Sequence, residues 1–165
     1  MRAGIVPELQ RVVDLAIKIT KQDFSLVSGL RTAEEQMKHV TSGTSKTLNS
    51  RHLTGHAVDI VPYIGPGISP YPLQGDSAKV IKAKLSRFED VAMAMFIAAD
   101  MLDIPLQWGN DWNFNGVPTV NDPDEKGLIV DMPHFQIPWP YRLEDARRRA
   151  AARRAERAAG FTVIS

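Results

Sequence analysis

The sequence predicts a single domain in which amphipathic helices are mixed with short strands, and three observations support that fold class. Apolar residues recur at helical spacing in two segments, 9–17 and 88–102. Short runs at 24–30 and 57–61 alternate or stay apolar in the manner of strands. The chain has 165 residues, 44% of them hydrophobic and 24% charged, which suffices for one buried core and is ordinary for a globular protein.

The elements follow in order. Leu9, Val12, Val13, Ala16 and Ile17 form one apolar helix face, and Pro7 suits the first turn of that helix. Phe24, Leu26, Ser28 and Leu30 alternate with Ser25, Val27 and Gly29, consistent with a strand. Thr32-Ala33-Glu34-Glu35 has the form of a capping box, which starts a second helix carrying Gln36 and Met37. Arg31 falls at this strand-to-helix junction, where a side chain can be aimed into a cleft. Residues 41–50 are loop by composition.

The run 57–61 reads as a strand with Asp59 in its middle, costly to bury unless a cation or hydrogen bonds compensate it. Four prolines and three glycines between positions 62 and 75 give a long irregular excursion, the kind of loop that shapes binding sites. From Ser86, the set Phe88, Val91, Ala92, Met95, Ala99 and Leu102 marks the longest helix, ending near Asp103-Ile104-Pro105. Segments 106–108 and 134–137 are further strand candidates, and no internal repeat is present.

The net charge of +1 hides an asymmetry. Between positions 142 and 159 seven arginines stand against three acids, a local +4, so the remaining chain must carry −3. Two segments are expected: a catalytic body over 1–140 and a basic, helix-prone Ala/Arg tail over 141–165. Two readings of the tail compete: a helix packed on the body with Leu143 and Phe161 as anchors, or attachment to an anionic envelope surface. No aromatic platform or recognition motif supports nucleic-acid binding. Residues 1–19 contain Glu8, Arg11 and Asp14 and read as neither secretory signal nor membrane span.

With no cysteine, a zinc site must be built from imidazole and carboxylate. His52, Asp59 and His134 are a complete set of three ligands, and three protein ligands with an open fourth position is the pattern of catalytic zinc. The seven-residue spacing of His52 and Asp59 does not fit one helix face, but a turn at Gly55 feeding a strand can bring both to one metal. His134 must then come from a neighbouring strand. Asp131, three residues before it, is the candidate general base, because a hydrolytic metal site needs a carboxylate that is not a ligand. Arg31 is the candidate electrophile, for an oxyanion or a substrate carboxylate. Gln36 and Ser50 are candidates for substrate contact and, for Ser50, support of His52. Trp108 is proposed as a substrate contact too, although Trp108 and Trp112 fit core or cleft wall equally well. His39 reads as structural or exposed, and His56 as a packing or supporting residue.

These blocks resemble the VanY-type D-alanyl-D-alanine carboxypeptidase family of zinc peptidases, most closely its phage endolysin branch, the L-alanyl-D-glutamate peptidases. The family's Ser-x-His-x-x-Gly-x-Ala-x-Asp block is matched by Ser50, His52, Gly55, Ala57 and Asp59, and its Asp/Glu-x-x-His block by Asp131 and His134. An upstream block is matched by Ser28, Gly29, Arg31 and Gln36, and the endolysin Trp-Gly-x-Asp-Trp segment by Trp108, Gly109, Asp111 and Trp112. The resemblance runs over residues 5–138. It implies an α+β fold of hedgehog/D,D-peptidase type, a small antiparallel sheet packed with helices and carrying a Zn2+ site. It also implies an endolysin, made in the host cytoplasm without a signal peptide, that hydrolyses the L-alanyl-D-glutamate bond of peptidoglycan stem peptides and lyses the host after export or holin-type release to the wall; a monomer is expected. The alternatives are a D,D-carboxypeptidase acting on terminal D-Ala-D-Ala and a non-catalytic wall-binding module that keeps zinc for structure.

Overall fold

Capping and burial account for the helices in the computed structural model, which describes residues 3–128 and 130–160, the side chain of Val120 excepted. Helix α1, Pro7–Ile19, starts at its proline and buries Leu9, Val12, Val13 and Ala16, the face expected from the periodicity. Strand β1, Phe24–Ser28, leads into α2, Ala33–Thr41, whose N-terminus carries the full capping box of Thr32 and Glu35. Strand β2, Ala57–Pro62, precedes the irregular segment and α3, Ala78–Met101. Strands β3, Gln107–Gly109, and β4, Asp131–Gln136, complete the sheet, and α4, Leu143–Ala158, ends the described chain.

Two elements begin earlier than expected. Helix α3 starts at Ala78 instead of Ser86, because Ser77 caps it by accepting the Val80 N–H at 3.4 Å. Its first turns are lysine-rich and so lack an apolar repeat. Lys84 there is buried and reaches back to the Asp76 carboxylate (2.9 Å) and the Tyr71 carbonyl (3.0 Å), pinning the Pro/Gly-rich segment against the helix. Strand β4 starts at Asp131 instead of His134, since Asp131 pairs with Gly109 despite the intervening Pro133.

The sheet is antiparallel with strand order β1-β2-β4-β3. Its alternation sorts the residues onto two faces. Val58 and Ile60 of β2, Trp108 of β3 and Phe135 of β4 join one core with α1 and the second half of α3, including Val91, Met95 and Ala98. Asp59, His134, Gln136 and Gln107 hold the opposite parity and face away from that core. A bulge in β1 changes its parity: Leu26 pairs with Ile60 on the core side, whereas Ser28 pairs with Asp59. The simple alternation expected over 24–30 therefore breaks at Val27.

The arginine-rich segment packs on the body. Ala146 and Ala150 are buried, and Arg153 lies over the Phe96 ring at 4.1 Å. Asp100 of α3, 3% exposed, receives Arg153 at 3.2 Å, Arg154 at 3.8 Å and also Arg157. Arg142 bonds Asp145 at 3.0 Å and Arg149 bonds Glu156 at 3.1 Å. Most of the arginines expected on a basic outer surface are thus engaged by this chain, and Arg147, Arg148 and Arg154 are the exposed ones within α4. Leu143 is half-buried, and the other expected anchor, Phe161, lies outside the described residues. No helix among the described residues is long and apolar enough to cross a membrane.

Removing Asp100 would leave buried guanidinium groups without their counter-charge. Asp100→Ala is expected to cost about 3 kcal/mol, on the order of 10 °C in Tm for a chain of this length. Arg148→Ala on the exposed face should stay within about 0.5 kcal/mol. Thermal melts of the two variants check the docking of α4, and an unchanged Tm for Asp100→Ala would contradict it.

Candidate active site and metal centre

The pairing of β2 with β4 sets Asp59 directly opposite His134, and β1 sets Ser28 on the other side of Asp59. His52 arrives from a single 3-10 turn, Arg51–Thr54. Ser50 caps that turn, its hydroxyl accepting the His52 N–H at 3.3 Å. Gly55 closes it in the left-handed region with φ 69°, and a Cβ there would run into the Gly4 carbonyl. The chain can therefore reverse tightly between His52 and β2 and return the imidazole over Asp59.

The three side chains meet at one point. His52 Nε2, His134 Nδ1 and Asp59 Oδ1 stand 3.2 Å from one another along all three edges. Donors held at about 2.0 Å around a tetrahedral ion are separated by roughly 3.3 Å, so the triangle has the size a bound metal requires. The outer ring nitrogens settle what each imidazole presents. His52 Nδ1 lies 2.7 Å from the Gly29 carbonyl, which can only accept, so Nδ1 carries the hydrogen and Nε2 offers a lone pair. His134 Nε2 lies 2.9 Å from Gln136 Oε1, which leaves Nδ1 as its inward lone pair. Three acceptors thus face one another at 3.2 Å with no donor of their own, an arrangement that calls for a cation.

The electrostatics agree. Burial would raise the Asp59 carboxyl, but contact with His134 and His52 and their charge hold it well below the ordinary carboxylate range. Burial would lower His134, yet the bond to Asp59 and the negative charges of Asp59 and Asp131 raise it above the ordinary imidazole value. Both shifts favour positive charge at the triangle.

Arg31 grips the other oxygen of Asp59, Oδ2. The same guanidinium donates to the Ser28 hydroxyl at 3.0 Å and to Gln36 Oε1 at 3.4 Å. Asp59 is therefore oriented with Oδ1 toward the histidines. Asp131, at the start of β4, stands outside the triangle. Burial raises its carboxyl, the nearby Asp59 adds to this, and the charges of His134, His52 and Arg31 oppose it. Its placement depends on Gly109, because a Cβ at that position would overlap the Asp131 backbone and its Cβ.

The triangle opens into a cleft of about 560 Å3. Arg31, Ser50, Asp131, Tyr71 and Trp112 line it together with His52, Asp59 and His134, and His39 lies at its edge. Two expected substrate contacts lie elsewhere. Gln36 is 1% exposed and has its amide bound to Ser45 (2.9 Å) and to the Thr47 carbonyl (2.8 Å), so it braces Arg31 and the following loop. Trp108 belongs to the core: it stacks on Phe135 and its indole N–H donates to the Met132 carbonyl at 2.7 Å. Trp112 takes the cleft position instead, 5.6 Å from the His134 ring. His56 is outside the triangle, with Nδ1 2.7 Å from the Thr54 carbonyl.

Three residues with a place at the site were not singled out from the sequence. Gln136 and Gln107 form a hydrogen-bonded pair behind His134, and strand parity could have found them, two residues after His134 and one before Trp108. Tyr71 projects from the Pro/Gly-rich segment. Burial, then the charges of Asp59 and Asp131, raise its hydroxyl, which keeps it a hydrogen-bond donor.

A donor triangle on a small antiparallel sheet, with a separate carboxylate beside it in an open cleft, is a layout for hydrolysis. Residues 2–137 match the model of the phage L-alanyl-D-glutamate peptidase family, and the chain belongs to that family. It is 33% identical over 117 residues to the L-alanyl-D-glutamate peptidase of Escherichia phage T5, covering 69% of this chain and 77% of that protein. It is 34% identical over 110 residues to the L-alanyl-D-glutamate peptidase of Listeria phage A118, covering 66% of this chain and 28% of the relative. Among solved structures it resembles the Serratia marcescens L-Ala D-Glu endopeptidase ChiX, with a TM-score of 0.62, 33% identity and 83% of each chain covered.

A divalent ion needs the His134 Nδ1 lone pair, and the raised position of His134 means that a proton competes for it. Uptake of zinc by the chelator-treated protein should therefore release a proton. It should weaken as pH falls through the raised His134 range and level off above it. Calorimetric titrations in two buffers of different ionisation heat measure this. Uptake independent of pH and without proton release would contradict the donor assignment.

Proposed function

We propose that this chain is a zinc-dependent endopeptidase that hydrolyses the L-alanyl-D-glutamate bond of peptidoglycan stem peptides during phage-induced host lysis. The observation that carries the reading is the triangle of three acceptors, 3.2 Å on each edge, with Asp131 held apart from it in the same cleft. The zinc assignment rests on the donor set, two imidazoles and one carboxylate with no cysteine in the chain. The bond assignment rests on the family and on the activity for which its relatives are named.

His52, Asp59 and His134 would hold the ion, which supplies Lewis acidity to the scissile carbonyl and to the attacking water. Asp131 accepts the proton of that water and returns it to the leaving amine of D-glutamate. Its burial suits both halves of the task, since a carboxyl raised from its ordinary range binds the proton more readily. Arg31 fixes Asp59 and, with its remaining N–H groups, can meet the oxyanion or a substrate carboxylate at the cleft. Ser50 acts through the turn that carries His52. Residues 1–140 carry the chemistry, and α4 buttresses the body through Asp100. Contact with an anionic envelope surface would fall to Arg147, Arg148 and Arg154. The site of action is the wall, reached by export or holin-type release.

Asp131→Asn separates base from ligand. The variant should keep its zinc and its melting temperature while turnover falls by about 100-fold or more, because an amide cannot accept the proton. Near wild-type hydrolysis would remove Asp131 from the mechanism, and loss of zinc would make it a ligand. Mass spectrometry of digested peptidoglycan tests the bond. New amino termini on D-glutamate and L-alanine carboxyl ends on the glycan-linked fragment are expected, whereas release of D-alanine alone would indicate the D,D-carboxypeptidase.

A further inference from the structure

Behind His134 a chain of hydrogen bonds runs along the cleft face of the sheet and ends on a backbone carbonyl. His134 Nε2 meets Gln136 Oε1 at 2.9 Å, Gln136 Nε2 donates to Gln107 Oε1 at 2.6 Å, and Gln107 Nε2 donates to the Trp112 carbonyl at 2.8 Å. Gln136 and Gln107 face each other across β3 and β4, and both are buried, at 6% and 5% exposed. The Trp112 carbonyl also receives Arg142, at 3.3 Å, from the residue that precedes α4.

A carbonyl can only accept, and this sets the direction of every bond in the chain. Gln107 must turn its NH2 toward Trp112, so its oxygen faces Gln136. Gln136 must then offer its NH2 to Gln107 and its oxygen to His134. Among the described hydrogen bonds that oxygen meets only His134 Nε2, which must then carry the hydrogen and leaves the Nδ1 lone pair pointing into the triangle. Reversing either amide would bring two donors or two acceptors together in a buried place, where an unsatisfied group costs about 1–3 kcal/mol.

We propose that Gln136 and Gln107 are positioning residues that lock His134 in the tautomer able to bind the metal, with the Trp112 carbonyl as the fixed end that polarises the relay. This deepens the zinc reading above and rests on it. His52 reaches the same state directly through the Gly29 carbonyl. His134 needs the relay because no main-chain carbonyl takes its outer nitrogen among the described hydrogen bonds. Arg142 shares the terminal carbonyl, so the approach to the C-terminal helix is tied to the metal ligand.

The test is zinc affinity, measured by competition with a chromophoric chelator, on four proteins: wild type, Gln107→Met, Gln136→Glu, and the double variant. Gln107→Met frees the Gln136 amide to flip and should weaken zinc binding by about 10- to 100-fold, the range found when partners of metal-bound histidines are removed. In the double variant a carboxylate at 136 accepts from His134 whatever stands at 107, so most of the lost affinity should return. Nitrogen-15 NMR of the zinc form should show Nε2–H on His134 in the wild type and in the double variant. Recovery in the double variant distinguishes polarity from packing, since Gln136→Glu restores no volume lost at 107. Zinc binding by a folded Gln107→Met variant at wild-type strength would overturn the relay, as would failure of the double variant to recover. If the wild type itself takes up no zinc, the metal reading has failed, not the relay alone.

Discussion

Asp59 and His134 face each other across two antiparallel strands, and much of the molecule serves to make that encounter tolerable. A carboxylate oxygen and two imidazole lone pairs at 3.2 Å repel unless a positive charge lies among them. The sheet can impose the encounter because its other face is anchored in the core. Val58, Ile60 and Phe135 are buried against α1 and α3, so sliding a strand by one residue would exchange the core for the site. Hydrophobic burial on one face thereby holds a polar conflict on the other, at three side chains that could hold a cation.

The surroundings then specify which atoms face inward. Arg31 takes one oxygen of Asp59 and leaves the other for the triangle. The Gly29 carbonyl sets His52, and the glutamine relay sets His134. Each partner can play only one role, donor or acceptor, and this makes the site stiff in its chemistry as well as its shape. Asp131 escapes that fixation. It is placed by close backbone packing at Gly109, within the field of the triangle but outside it, where a carboxylate can take up and release a proton.

The sequence was most legible where chemistry selects the residue type. Histidine and aspartate with motif spacing marked the triangle, and the capping box and Pro7 marked the helix starts. It was less legible where geometry decides. The bulge at Val27 turns Ser28 to the site face, and nothing in that alternating run announces it. Trp108 and Trp112 are interchangeable by composition; Trp108 lies within β3 and faces the core, whereas Trp112 comes after the strand has ended and lies on the cleft wall. Glutamine has no metal-ligand identity, so Gln107 and Gln136 stand out only once β3 lies beside β4. The arginines of α4 read as a basic surface because their partner, Asp100, lies far away on α3 and is hidden until the helix docks.

The most direct measurement of the central claim is anomalous diffraction at the zinc edge from crystals of the zinc-loaded protein. A single ion is expected, bonded to His52 Nε2, His134 Nδ1 and Asp59 Oδ1, with Asp131 outside the coordination sphere and the Gln136 oxygen on His134 Nε2. An ion bound through His134 Nε2, or one seated away from the three residues, would contradict it.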